Sequence, residues 1–135
     1  MRVAIVSVPR EQKPPGDYVT ALSKGVESMG HRVEIIDAYT EDGRRLPAFE
    51  YIIVAAEQTG IFRGKMPDAL TRFLRGAMSL SGKKSAAFLR KTSPFTGKAM
   101  ANLMRTMEQE GMFVNWSEII LSAPQAQELG KRILS

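Results

Sequence analysis

Continuous apolar runs and helically spaced apolar positions alternate along this chain. Residues 3–8, VAIVSV, form an unbroken run rich in β-branched residues, as expected of a strand covered on both faces. Tyr18, Val19, Leu22, Val26 and Met29 then fall at helical spacing, and Gly30 stands where a glycine ends a helix. Residues 31–37, HRVEIID, read as a second strand. Residues 38–49, AYTEDGRRLPAF, are polar and hold Gly and Pro; they form a connection with room for one helical turn. Residues 51–57, YIIVAAE, form a third buried strand, and residues 58–66 a loop. Pro67 opens a helix whose apolar face is Leu70, Phe73, Leu74, Ala77 and Met78, and SGKK at 81–84 ends it. SAAFL at 85–89 is the fourth strand, and residues 90–96 are another loop. Met100, Leu103, Met104 and Met107 mark the next helix, which stops at Gly111. FVNWSEIILS at 113–122 supplies the fifth strand. Pro124 precedes a short last helix with Ala126, Leu129 and Ile133 inward.

Strands alternating with helices require crossovers, and crossovers give a parallel sheet with helices on both faces. Five strands in 135 residues suit a single domain, a three-layer α/β sandwich of strand order 2-1-3-4-5. In such sheets ligands bind outside the carboxyl ends of the strands, at the switch point between strands 1 and 3. The loops at 9–17, 57–66 and 90–98 are therefore the candidate site.

Composition narrows the chemistry. Apolar content of 44% and charged content of 24% are ordinary for a soluble globular protein. There are no cysteines, which excludes disulfides, thiolate catalysis and Cys-ligated metals. No apolar run reaches the ~18 residues that span a membrane. The first residues read as a strand and not an export signal, so the expected compartment is the cytoplasm, with no membrane partner. Lys plus Arg is 19 against 14 Asp plus Glu, a net charge of +5. That charge fits either an anionic partner or simple solubility, since the basic residues form no long run.

His31 is the only histidine and lies at the far end of the sheet from the candidate loops. One His and no Cys leave no nucleophile pair, and no acidic cluster suggests a metal. The basic residues are not interleaved with aromatics and no reader motif is present, so nucleic acid is not an expected partner. The methionine stripe at 100, 104 and 107 has core spacing. Trp116 serves either the core or a homodimer contact. Glu57 ends strand 3 at the cleft, either as a loop-start carboxylate, as a partner for Arg10, or as a site residue.

Residues 58–89, QTGIFRGKMPDALTRFLRGAMSLSGKKSAAFL, resemble the segment after strand 3 in flavodoxin-like proteins, especially the branch of quinone and FMN reductases. Phe62, Gly64, Met66, Pro67, Leu70, Phe73, Leu74, Gly82 and Lys83 fit its pattern, and EGMFV at 110–114 is similar too. The resemblance covers most of the chain from about residue 50 onward. It implies a flavodoxin-like sandwich and a site for FMN built from three loops. On that resemblance Thr59, Gly60, Ile61 and Phe62 flank the isoalloxazine on one side. Thr92, Ser93 and Phe95 flank it on the other. The two phenylalanines could sandwich a flat ring. Arg63 and Lys65, with Arg90, Lys91 and Lys98, would gather positive charge around the site.

The first loop departs from the family. There the pattern is rich in Ser, Thr and Gly around a phosphate; here it reads Ser7-Val8-Pro9-Arg10-Glu11-Gln12-Lys13-Pro14-Pro15-Gly16-Asp17. Its prolines offer no N–H, and Asp17 stands where it would cap the helix and compete with an anion. Ser7, Arg10 and Lys13 remain as the groups near a phosphate, the two cations by charge-assisted hydrogen bonds. A receiver-type phosphorylation site is set aside, because Val8-Pro9 stands where that function needs an acidic pair. Two functions follow from the resemblance and its break. One is an FMN-dependent carrier or NAD(P)H oxidoreductase, moving electrons or hydride from a reduced nicotinamide to a quinone-like or protein acceptor. The other is a flavodoxin-like domain that has lost its flavin and serves as a binding or interaction module.

Overall fold

The computed structural model describes residues 1–134. In chain order the elements are β1 (Arg2–Val8), α1 (Asp17–Glu27), β2 (Arg32–Asp37), β3 (Tyr51–Ala56), α2 (Asp68–Arg75), β4 (Lys84–Arg90), α3 (Gly97–Gln109), β5 (Phe113–Ile120) and α4 (Ala123–Arg132). A 3-10 helix, Gly43–Ala48, lies within the connection between β2 and β3, and the Asp42 side chain caps it by accepting from Arg44 N–H. The five strands pair in parallel in the order β2-β1-β3-β4-β5, the order the alternating pattern predicts. Each crossover carries the chain over one face, so both faces are covered.

The alternation of side chains along β1 and β3 divides the core. Val6, Ile52, Val54, Leu70, Phe73, Leu103 and Met107 pack under α2 and α3. Ile5, Val19, Leu22, Ile53, Phe88, Ala126 and Leu129 pack under α1 and α4. Successive strand residues point to opposite faces, which is why these runs are apolar throughout and not alternating. Helices α1 and α4 meet backbone to backbone. A Cβ on Gly25 would stand 2.1 Å from Gln127 O, and one on Gly130 would stand 2.5 Å from Leu22 O. Their closeness fixes α1 against the sheet, and with it the first loop that leads into α1.

Two local expectations change, and β5 adds an irregularity. Helix α2 ends at Arg75, with Gly76 as its C-cap, so Met78 lies beyond it and is 90% exposed. Asp17 is the first helical residue and makes no capping bond; extended Gly16 holds the cap position, and its carbonyl receives Val19 N–H at 3.0 Å. In β5, Ala86 pairs with Trp116 where Ser85 pairs with Val114, so Asn115 is bulged out of register. Trp116 packs partly buried against the α1–α4 side of the core.

Candidate functional site

The carboxyl ends of β1, β3 and β4 open onto three loops, as the strand order requires. The loop after β3 is the most firmly held. Thr59 N–H donates to Lys65 O at 2.7 Å, and the Thr59 hydroxyl donates to the same oxygen at 3.1 Å, closing the loop at its base. Gln58 is fully buried beneath it and donates through Nε2 to Ile61 O at 3.2 Å and to Gly60 O at 3.5 Å. Ser93 Oγ reaches across from the loop after β4 to Ile61 O at 2.8 Å, and accepts Phe95 N–H at 3.0 Å. Asn102 of α3 donates to Gly64 O at 2.9 Å. Gly64 has a φ of +65°, and a Cβ there would lie 2.5 Å from Ala99 N. The loop is therefore seated directly on the first turn of α3, in a conformation that excludes a side chain at that position.

This bracing presents apolar groups to solvent. Ile61 is 54% exposed, Phe62 69% and Phe95 50%. The Phe62 and Phe95 rings touch, with centroids 5.2 Å apart and planes tilted by 48°. A shallow, mostly apolar cavity of about 320 Å³ runs from Thr59 to Lys65 beside them. Arg63, Lys65 and Lys98 are exposed around this patch, and Lys91 is exposed just beyond β4.

The first loop is organised around a carboxylate. Glu57 is buried, accepts Arg10 N–H at 3.0 Å and pairs with Lys13 Nζ at 3.4 Å. Arg10 is thus bound to Glu57 through its backbone, and its guanidinium is exposed. The Tyr39 hydroxyl donates to Pro9 O and ties the loop to the end of β2. A cavity of about 250 Å³ opens between Ser7, Lys13, Asp17, Tyr18, Glu57 and Arg90. Arg90 folds inward, donating to Ile120 O at 3.1 Å and Leu121 O at 2.7 Å, with its guanidinium 6.0 Å from the centre of the Tyr18 ring. Burial pushes the Tyr18 hydroxyl well above the ordinary tyrosine range; Glu57 adds to the shift and Arg90 opposes it.

The structure places the expected site residues in two groups. Thr59, Gly60, Ile61 and Phe62 meet Ser93 and Phe95 through the Ile61–Ser93 bond and the ring contact. Ser7 and Lys13 share the second cavity, Ser7 buried and Lys13 paired. Arg10 and Thr92 are exposed and line neither cavity. Sequence reasoning did not find Gln58, which bonds carbonyls of its own loop, or Asn102, whose partner is distant in the chain; Arg90, expected among the charges around the site, turns inward to the carbonyls of Ile120 and Leu121. Glu57 was visible as a strand-end carboxylate, and its partners proved to be Lys13 and the Arg10 backbone. His31 lies at the opposite end of the sheet against the Met1 amino group, 3.1 Å away. Among the described residues no group of three His, Asp or Glu side chains is disposed to hold a metal, and no helix is long and apolar enough to cross a membrane.

No family model and no curated protein matches the chain. Solved structures do. A flavodoxin from the domain Archaea superposes with a TM-score of 0.74 at 21% identity, covering 98% of this chain and 96% of its own. Oxidised flavodoxin 1 from Bacillus cereus gives 0.73 at 17% identity, over 99% and 97% of the two chains. The two-electron reduced flavodoxin of Megasphaera elsdenii gives 0.69 at 18% identity, over 93% and 96%. The five-stranded parallel sheet, its 2-1-3-4-5 order and these end-to-end superpositions together establish that the chain has the flavodoxin-like fold.

Proposed function

We propose that this chain is a small redox protein that seats a flavin of the FMN type by its ring on the loops after β3 and β4. One observation carries the reading. Two aromatic side chains stand exposed on separate loops at the switch point, and four hydrogen-bonding side chains hold those loops in place. Exposed apolar groups on a braced surface are the mark of a binding site and not of a mobile tip. The likeness to an oxidised and a two-electron reduced flavodoxin supports a redox role for the same fold.

A flavin would supply the electron chemistry, and the chain's own residues would bind and orient its ring. Phe62 and Phe95 offer faces to it. A flat ring between them needs centroids about 7 Å apart, two stacking distances of about 3.5 Å; they stand at 5.2 Å. Both rings are at least half exposed, so they can part by side-chain rotation without disturbing the core. Arg63, Lys65, Lys91 and Lys98 would favour an anionic donor such as a reduced nicotinamide dinucleotide, passing electrons to a quinone-like or protein acceptor.

The test is a visible absorbance spectrum of the purified protein, followed by titration with FMN. A bound flavin that is released on unfolding and lost in Phe62→Ala supports the reading. Absence of both a spectrum and binding sinks it. A second reading, a flavin-free interaction module, draws on the Phe62–Phe95 contact that closes the ring gap and on Glu57 standing in the first loop. It predicts that the same apolar patch and its basic rim bind an anionic protein surface.

A further inference from the structure

We infer that the flavin this site prefers carries no phosphate: its ligand is a flavin ending in a neutral, hydroxyl-bearing chain, as riboflavin does. The inference rests on the flavin reading above and concerns only the end of the ligand that enters the first loop.

A phosphate dianion is held by N–H donors and cations that have no other partner. In the first loop several of these groups are absent or already engaged. Pro9, Pro14 and Pro15 carry no N–H. Arg10 N–H is taken by Glu57, and the N–H groups of Val19 and Thr20 both turn to Gly16 O. The cations are engaged as well. Lys13 is paired with Glu57, and the Arg90 guanidinium binds the carbonyls of Ile120 and Leu121. The Arg10 guanidinium is exposed and is not part of the cavity lining.

Two carboxylates face the same space. Glu57 is buried there and Asp17 stands in the first turn of α1, where the helix dipole favours its negative charge. An entering dianion would meet like charge on both sides and would have to displace Glu57 from Lys13 and from Arg10 N–H. Hydroxyl groups meet the opposite situation. Carboxylates accept hydrogen bonds from them, and Ser7 adds a further hydroxyl on the cavity wall. The ring platform is independent of this chemistry, because its bracing runs through Gln58, Ser93 and Asn102.

The experiment is a pair of titrations, riboflavin and FMN, read by quenching of flavin fluorescence in wild-type protein, Glu57→Gln and Asp17→Asn. The amide of Glu57→Gln keeps the shape of the carboxylate and can still accept from Arg10 N–H. Asp17 is exposed, so the second substitution does not depend on the buried site. The expected result is that wild type binds riboflavin at least as tightly as FMN. Each substitution should shift the affinity ratio toward FMN by roughly fivefold or more, through removal of a like charge. Tighter binding of FMN than riboflavin by wild type overturns the inference and leaves the flavin reading standing. An affinity ratio unmoved by both substitutions also overturns it. Binding of neither ligand overturns both together.

Discussion

The loops after β1 and β3 leave the same end of the sheet on adjacent strands, yet they are built by opposite means. The loop after β3 is held from below and from the side by neutral hydrogen bonds, and it turns hydrocarbon outward. The loop after β1 is held by charge, with Glu57 at its centre and prolines along its length. Glu57 and Gln58 are consecutive residues that serve one loop each. On the flavin reading, the ring end of such a site and its anion end are thus separable: a chain can keep the first kind of surface while replacing the second.

The sharpest way to break the braced loop is Gly64→Ala. A side chain there is forced into φ of +65° and against the backbone of Lys98 and Ala99. Backbone strain and overpacking together should cost about 3 kcal/mol, readable as a lowered denaturant midpoint, with flavin binding lost as well. Next come the aromatic faces. Phe62→Ala and Phe95→Ala should each weaken flavin binding by about 1–3 kcal/mol, the scale of stacking on an aromatic side chain, with the fold intact by circular dichroism. Gln58→Ala leaves the Gly60 carbonyl without this donor and the Ile61 carbonyl with Ser93 alone, and should cost about 1 kcal/mol of stability.

A region remote from both loops gives a reference. The Tyr51 hydroxyl donates to Asn115 Oδ1 at 2.7 Å, and burial pushes its pKa up to about 12. Tyrosine in the unfolded chain titrates near ~10. The protonated hydroxyl is therefore favoured by folding. Its contribution is complete below about pH 10 and is lost as pH rises toward about 12. Urea midpoints across that window should fall, and Tyr51→Phe should flatten the fall without changing flavin affinity. The smallest effect is expected at the charged loop. Lys13→Ala removes an ion pair with a half-exposed ammonium and should cost under about 1 kcal/mol of stability.

Much of the fold was legible because parallel strands covered on both faces announce themselves as unbroken apolar runs. Residues 3–8 and 51–56 needed no more than their β-branched content, and Leu103 and Met107 lie inward where helical spacing put them. Met78 was misplaced because spacing continued the helix past Gly76, where the chain leaves it after two turns. Asp17 has the residue type of a cap, but extended Gly16 takes that position. The exposed aromatic pair was visible as Phe62 and Phe95 on switch-point loops. The bracing was not, because Gln58, Ser93 and Asn102 act on main-chain carbonyls, and carbonyls leave no mark in a sequence. The proline-rich first loop was visible as a departure from the resemblance. That Glu57 organises it followed only from a pairing across 47 residues.

The most direct measurement is titration with lumiflavin, which is the flavin ring without its chain. If the ring is what the protein holds, lumiflavin should bind saturably and perturb the flavin absorbance bands, and its shortfall against riboflavin should measure only the chain hydroxyls, at about 0.5–1.5 kcal/mol each. Binding of FMN with no detectable binding of lumiflavin would contradict the account, and would place the affinity at the end of the ligand where Glu57 and Asp17 stand.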